Sequence, residues 1–146
     1  VTAEDGQTGE PDPRRRIKRS QPGRARRYAF RIARLACSVT GVRDHVALDI
    51  AQRGLDRPTE IAELVRLWEL ERELESACAA QLGADPSSSS PAQLQRHPVC
   101  VEARAVAAVI AALRPDPVMA ATEATREALA AGCAWGEVKA AADELL

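Results

Sequence analysis

Residues 99–113 read VCVEARAVAAVIAAL, and this stretch decides the fold class. Val99, Ala103, Val106, Ile110 and Leu113 recur at steps of four, three, four and three, the period of one helix face. Alanine, the strongest helix former, fills half of the remaining positions. The same chemistry runs through the chain. Of 146 residues 46% are hydrophobic, mostly Ala, Leu and Val, with two Trp, one Tyr and one Phe. Strand-type runs of alternating β-branched and aromatic residues are missing. A core then has to come from many small side chains on closely packed helices, and the expected fold is all-α.

Working outward, Arg114-Pro115-Asp116-Pro117 stops this helix and starts the next, expected over 117–131. A short last helix over 134–146 presents Trp135, Val138 and Leu145. On the other side, residues 83–98 hold Asp85-Pro86, four serines and Pro91, a flexible connection that is long for a compact bundle. Before it, Asp56-Arg57-Pro58 reads as the start of a long helix ending near Leu82. Its first half (Ile61, Leu64, Val65, Leu67, Trp68, Leu70) is broadly apolar and is expected at the centre of the core. Helices over 24–39, with Tyr28, Ile32, Leu35 and Val39 in one stripe, and over 42–53, ending at Gly54, complete the set. The sum is a roughly six-helix bundle: a three-helix half over 24–82, a Ser- and Pro-rich linker over 83–98, and a three-helix half over 99–146.

Charge divides the chain more sharply than hydrophobicity does. Residues 13–34 contain ten Arg or Lys and no acid, whereas 35–146 contain ten bases and seventeen acids, although the whole chain is at −1. Residues 1–23 are polar and charged, with Ile17 the only sizeable apolar residue after Val1, and are expected to form a disordered basic arm. Arg24, Arg27, Arg31 and Arg34 continue that charge along a helix stripe. Arginine forks suit phosphate geometry, so Arg14, Arg15, Arg16, Lys18, Arg19, Arg24, Arg27, Arg31 and Arg34 are the candidate nucleic-acid contacts. The competing expectation is a solubilising tail, or an arm that docks on the acidic body or on an acidic protein.

Cys37, Cys78, Cys100 and Cys133 contain no CxxC pair and sit in or beside apolar helical stretches, so four buried free thiols are expected. Neither a metal nor a cofactor is expected. No segment reaches 18 uninterrupted apolar residues and the start lacks a signal-peptide core, which points to a cytoplasmic protein without membrane contact. Val1 in an Ala- and Arg-rich chain reads as a translated GTG start of a complete bacterial protein.

Ala128, Gly132 and Val138 stand in the A-x3-G-x5-V spacing of a helix-turn-helix. The helix after that glycine carries three acids and one base, which suits a structural corner and not base readout. Catalysis is not expected: phosphate-loop, dinucleotide and HExxH motifs are absent, Ser87 to Ser90 lie in the linker, and Glu69, Glu71, Glu73 and Glu75 of the long helix spread around its surface and do not converge. An acid–base site, if built at all, would form around His45 or His97.

One resemblance bears on function. The run Arg66 to Glu75 with Trp68, a polar linker, then His97-Pro98 leading into Val101 to Ala105 is similar to the middle of some phage terminase small subunits. The resemblance implies a helical, oligomeric, DNA-recognising adaptor without catalysis of its own. The expected function is accordingly DNA association in a regulatory or packaging-adaptor setting. The alternative is a helical protein–protein module of accessory or immunity type.

Overall fold

The structure, a computed structural model, describes residues 13–146. Among these there are eight α-helices and no strand: α1 (Pro13–Arg19), α2 (Pro22–Thr40), α3 (His45–Arg53), α4 (Ile61–Leu82), α5 (Pro91–Leu94), α6 (Pro98–Ala112), α7 (Pro117–Ala130) and α8 (Trp135–Leu145). A 3₁₀ turn over Pro86–Ser88 precedes α5. Expected helices and observed ones coincide within a few residues except at α1, α4 and α5.

More than half of the buried core residues are alanines. Ala25, Ala29, Ala33 and Ala36 of α2 are buried with Ala120, Ala121, Ala124 and Ala128 of α7 and a run of alanines on α6. Methyl-sized side chains let α2 lie directly against α6 and α7. Tyr28 is buried as its stripe requires, and its hydroxyl meets Thr125 Oγ1 at 2.8 Å while Thr125 donates to Ala121 O. Because α2 packs chiefly on α7 and α6, residues on both sides of the 83–98 segment share one core, in place of two three-helix halves.

Three further expectations are corrected. Residues 13–19 of the arm are helical, because Ile17 finds a fully buried seat and α1 lies on α7 and α8. The expected disorder over 1–12 lies outside the described residues. α4 begins at Ile61, not at Pro58: Glu60 takes the N-cap and its amide donates to Glu63 Oε1 at 2.9 Å. Its first half is not the core centre either. Leu67 and Leu70 are buried, but Ile61, Val65 and Trp68 point outward. α4 packs on α6 and touches α3 at one edge, so only one of its apolar faces is covered.

The 83–98 segment is built, not loose. Ser90 and Gln93 form a capping box at α5, with Gln93 Oε1 accepting from Ser90 N at 2.7 Å. Leu94 packs on a Cys78–Cys100 disulfide that ties the last turns of α4 to the first turn of α6. Four free thiols are therefore corrected to two, Cys37 and Cys133, both buried. The helix ends bring Cys78 and Cys100 to a Cα separation of 4.8 Å, inside the range a disulfide spans. Burial pushes the Cys37 thiol up to about 12 and the Cys133 thiol up to about 11, so neither is a reactive thiolate near neutral pH.

Candidate nucleic-acid interface

The basic segment is divided by the fold into spent and available charge. α1 ends where the Ser20 hydroxyl donates to Arg16 O, and α2 starts at Pro22 with Gln21 as its N-cap. Buried Ile17 fixes α1 on α7 and α8, and buried Ala25 belongs to the face of α2 that packs on α7 and α6, so the arginines ride on rigid elements.

Three of the ten cations are engaged with the body. Arg16 donates to Asp143 and to Ala142 O at 2.9 Å, so it caps the C-terminal turn of α8. Arg31 forms a two-pronged pair with Glu144, at 3.0 and 3.1 Å. These bonds hold Asp143 and Glu144 below the usual carboxylate range, with the Arg16 hydrogen bond the largest cause for the first and the Arg31 bond for the second. Arg26, which was not among the expected contacts, donates to the carbonyls of Ala112, Arg114 and Pro115 and closes the C-terminal end of α6. The body thus takes up part of the charge of the basic segment.

The remainder faces outward. Arg15, Lys18 and Arg19 of α1 and Arg24, Arg27 and Arg34 of α2 are exposed, and none of them has an ion pair with a described residue. Arg14 is exposed as well. Arg27 has a single long bond back to Gly23 O, 3.4 Å. Of the nine expected contacts, the fold keeps Arg15, Lys18, Arg19, Arg24, Arg27 and Arg34 available and ties Arg16 and Arg31 to α8.

Packing also gathers residues that periodicity does not mark. Arg27, Arg31 and Arg34 line a hollow of ≈ 250 Å³ with Phe30, Gln52, Arg53, Gly54, Leu55, Asp56 and Leu145. A second hollow of ≈ 430 Å³ shares Arg31, Arg34, Ala51 and Gln52 with it, so a trough runs between α2 and α3 with arginine along its lip. Arg53 is spoken for: it pairs with Asp49 and Glu63, and its hydrogen bonds hold the Glu63 carboxyl down at about 2. Gln52 could have been suspected only from knowing that α3 lies along α2.

The other candidate positions carry little. Ala128 and Val138 are buried around Gly132, whose φ of 103° needs a glycine, so the α7–α8 spacing builds a helix corner. Two of the acids on α8 are those that hold Arg16 and Arg31. Glu75 joins Arg104, which also bonds Glu127, while burial raises the Glu71 carboxyl. His45 is exposed and His97 contacts Gln81 at 3.3 Å. Among the described residues no three His, Cys, Asp or Glu side chains gather as a metal would require, and no helix is long and apolar enough to cross a membrane. No protein family, no curated protein and no solved structure matches this chain, so its reading rests on its own residues.

Proposed function

We propose that this protein binds DNA non-enzymatically through phosphate contacts made by α1 and α2, in a regulatory or packaging-adaptor role. The observation that carries the proposal is the set of six exposed cations, Arg15, Lys18, Arg19, Arg24, Arg27 and Arg34, without ion pairs to described residues on two anchored helices. Arg27 and Arg34 are two turns apart, about 10 Å along the helix, so they suit separate phosphates. Held on helices, these forks lose less freedom on binding than they would on a loose arm. The adaptor setting implies an oligomer, and DNA binding implies the cytoplasm, where the Cys78–Cys100 pair would meet reducing conditions.

The test is fluorescence anisotropy with a random duplex across a salt series, on the full chain and on charge variants. Removing residues 1–23 would also remove Ile17 from the core, so side-chain replacement is the cleaner comparison. Tight binding with a steep salt dependence, weakened by Arg24→Ala, Arg27→Ala and Arg34→Ala together, is expected. Absence of binding at low salt would refute the proposal. The alternative, a protein–protein module, is favoured by a different observation, the exposed apolar residues of α4. It predicts partner binding that survives loss of the basic charge.

A further inference from the structure

The trough between α2 and α3 holds more chemistry than phosphate contacts need. Arg27 and Arg34 stand on its lip, exposed and without ion pairs to described residues, and Arg31 between them is held by Glu144. Below the lip the surface is largely apolar, with Leu35, Leu48 and Ala51 in one hollow and Phe30 and Leu55 in the other. Leu55 is 57% exposed there, although it has the chemistry of a core residue. A nucleic-acid backbone is met by the arginines alone. An apolar floor beside them suits a flat ring joined to the phosphate.

Two polar side chains at the end of α3 give such a ring an edge to meet. Gln52 and Asp56 both line the smaller hollow, both are exposed, and neither bonds a described residue through its side chain. The Asp56 amide donates to Arg53 O at 2.9 Å, which fixes the turn that presents the carboxylate. A carboxylate repels phosphate, so Asp56 does not serve the backbone of a strand. It only accepts hydrogen bonds, whereas the Gln52 amide both donates and accepts. Guanine sets two donors side by side, N1–H and N2–H, next to the O6 acceptor, and so matches this pair. Thymine has a single N–H between two carbonyls and sets an oxygen against the carboxylate. Arg53 backs the same hollow at 8% exposure, and its buried Nε is a donor that the fold itself leaves unmet.

Size sets how much of a ligand enters. The hollow's ≈ 250 Å³ falls below the roughly 300–1,000 Å³ of sites that enclose a whole drug-sized molecule. One ring system fits, with sugar and phosphate outside along the lip. A base paired inside a duplex does not reach into a recess, so the base is either unpaired in a strand or free in solution. We infer that the α2–α3 trough binds one guanine nucleotide, its base against Leu55 with its edge on Asp56 and Gln52, and its phosphate at Arg27 or Arg34. For a guanine carried by a strand this rests on the DNA reading; for a free nucleotide it does not.

Two measurements on the full chain test this. Anisotropy compares a labelled blunt duplex with the same duplex carrying an unpaired guanine or an unpaired thymine, and amide NMR follows a titration with guanosine monophosphate. The guanine bulge is expected to bind at least about fivefold tighter than the thymine bulge, and the free nucleotide to shift Gln52 and Leu55. Asp56→Asn and Gln52→Ala should each bring the guanine-to-thymine ratio towards one. That ratio cancels any change in general phosphate affinity, and circular dichroism confirms folding. Duplex binding that is steep in salt but equal for all three duplexes, without shifts from the free nucleotide, overturns the inference and leaves the DNA reading intact. Shifts in the trough without duplex binding, lost in Asp56→Asn, do the reverse. Shifts with equal duplexes assign the site to the free nucleotide, and a guanine preference indifferent to both variants overturns it.

Discussion

Ile17 illustrates how one residue changes the reading of a segment. Surrounded by arginines, it gives too little apolar content to predict order, yet it is fully buried and fixes α1. Ile17→Ala should cost about 2–4 kcal/mol, seen as a lower denaturant midpoint with an unchanged slope. Burial of a lone apolar residue is a tertiary fact and leaves no period in the sequence, which is why the helix there was not legible. Tyr28, by contrast, was legible, since it repeats with Ile32 and Leu35. The acids that meet this region give a pH signature. Asp143 and Glu144 have folded values depressed by Arg16 and Arg31, so their contribution is complete above their ordinary values and is lost as the pH falls through the folded ones. Glu63 behaves alike, losing its contribution between 4.5 and about 2. Melting temperature should fall as the pH is lowered from about 5 towards 2, and less so in Asp143→Asn with Glu144→Gln, as thermal scans would show.

Among the elements, helix positions followed from periodicity and capping, whereas the choice of covered face did not. α4 was legible as a helix, but its hydrophobic residues occur almost all round the first half, and nothing local says which of them meets α6. The 83–98 segment misled for a different reason. Its serines and prolines are turn formers, and they serve here as caps for a 3₁₀ turn and for α5. The Cys78–Cys100 disulfide closes a loop over a sequence separation of 22. A loop of that length confers about 3 kcal/mol by restricting the unfolded chain. Reduction should therefore lower the melting temperature by on the order of 10 °C, measured by calorimetry with and without dithiothreitol. Cys78→Ser with Cys100→Ser should melt at the reduced value and be insensitive to the reagent.

At the scale of the whole molecule, an alkaline face and an acidic remainder were both visible in the residue counts. Their internal settlement was not: which arginines would be drawn to Asp143 and Glu144 depends on where the C-terminal helix lands. If the six available cations each neutralise a phosphate, the logarithm of DNA affinity should fall with the logarithm of salt at a slope of about −5. Replacing Arg15, Lys18 and Arg19 by Ala, or Arg24, Arg27 and Arg34, should each remove about three units of that slope. Anisotropy titrations at several salt concentrations would show it, and an unchanged slope in both triple variants would assign the contact elsewhere.

The alanine core sets an unusual rule for change. Where helices are separated by bulky side chains, a domain is weakened by trimming them and leaving holes. Here Ala29, Ala33, Ala121 and Ala124 leave almost nothing to trim, so the interior is vulnerable in the opposite direction. A single added branch at α2 or α7 has to wedge two backbones apart. Substitutions in this protein should accordingly be tolerated by how small they are more than by how greasy they are, with serine accepted where leucine is refused.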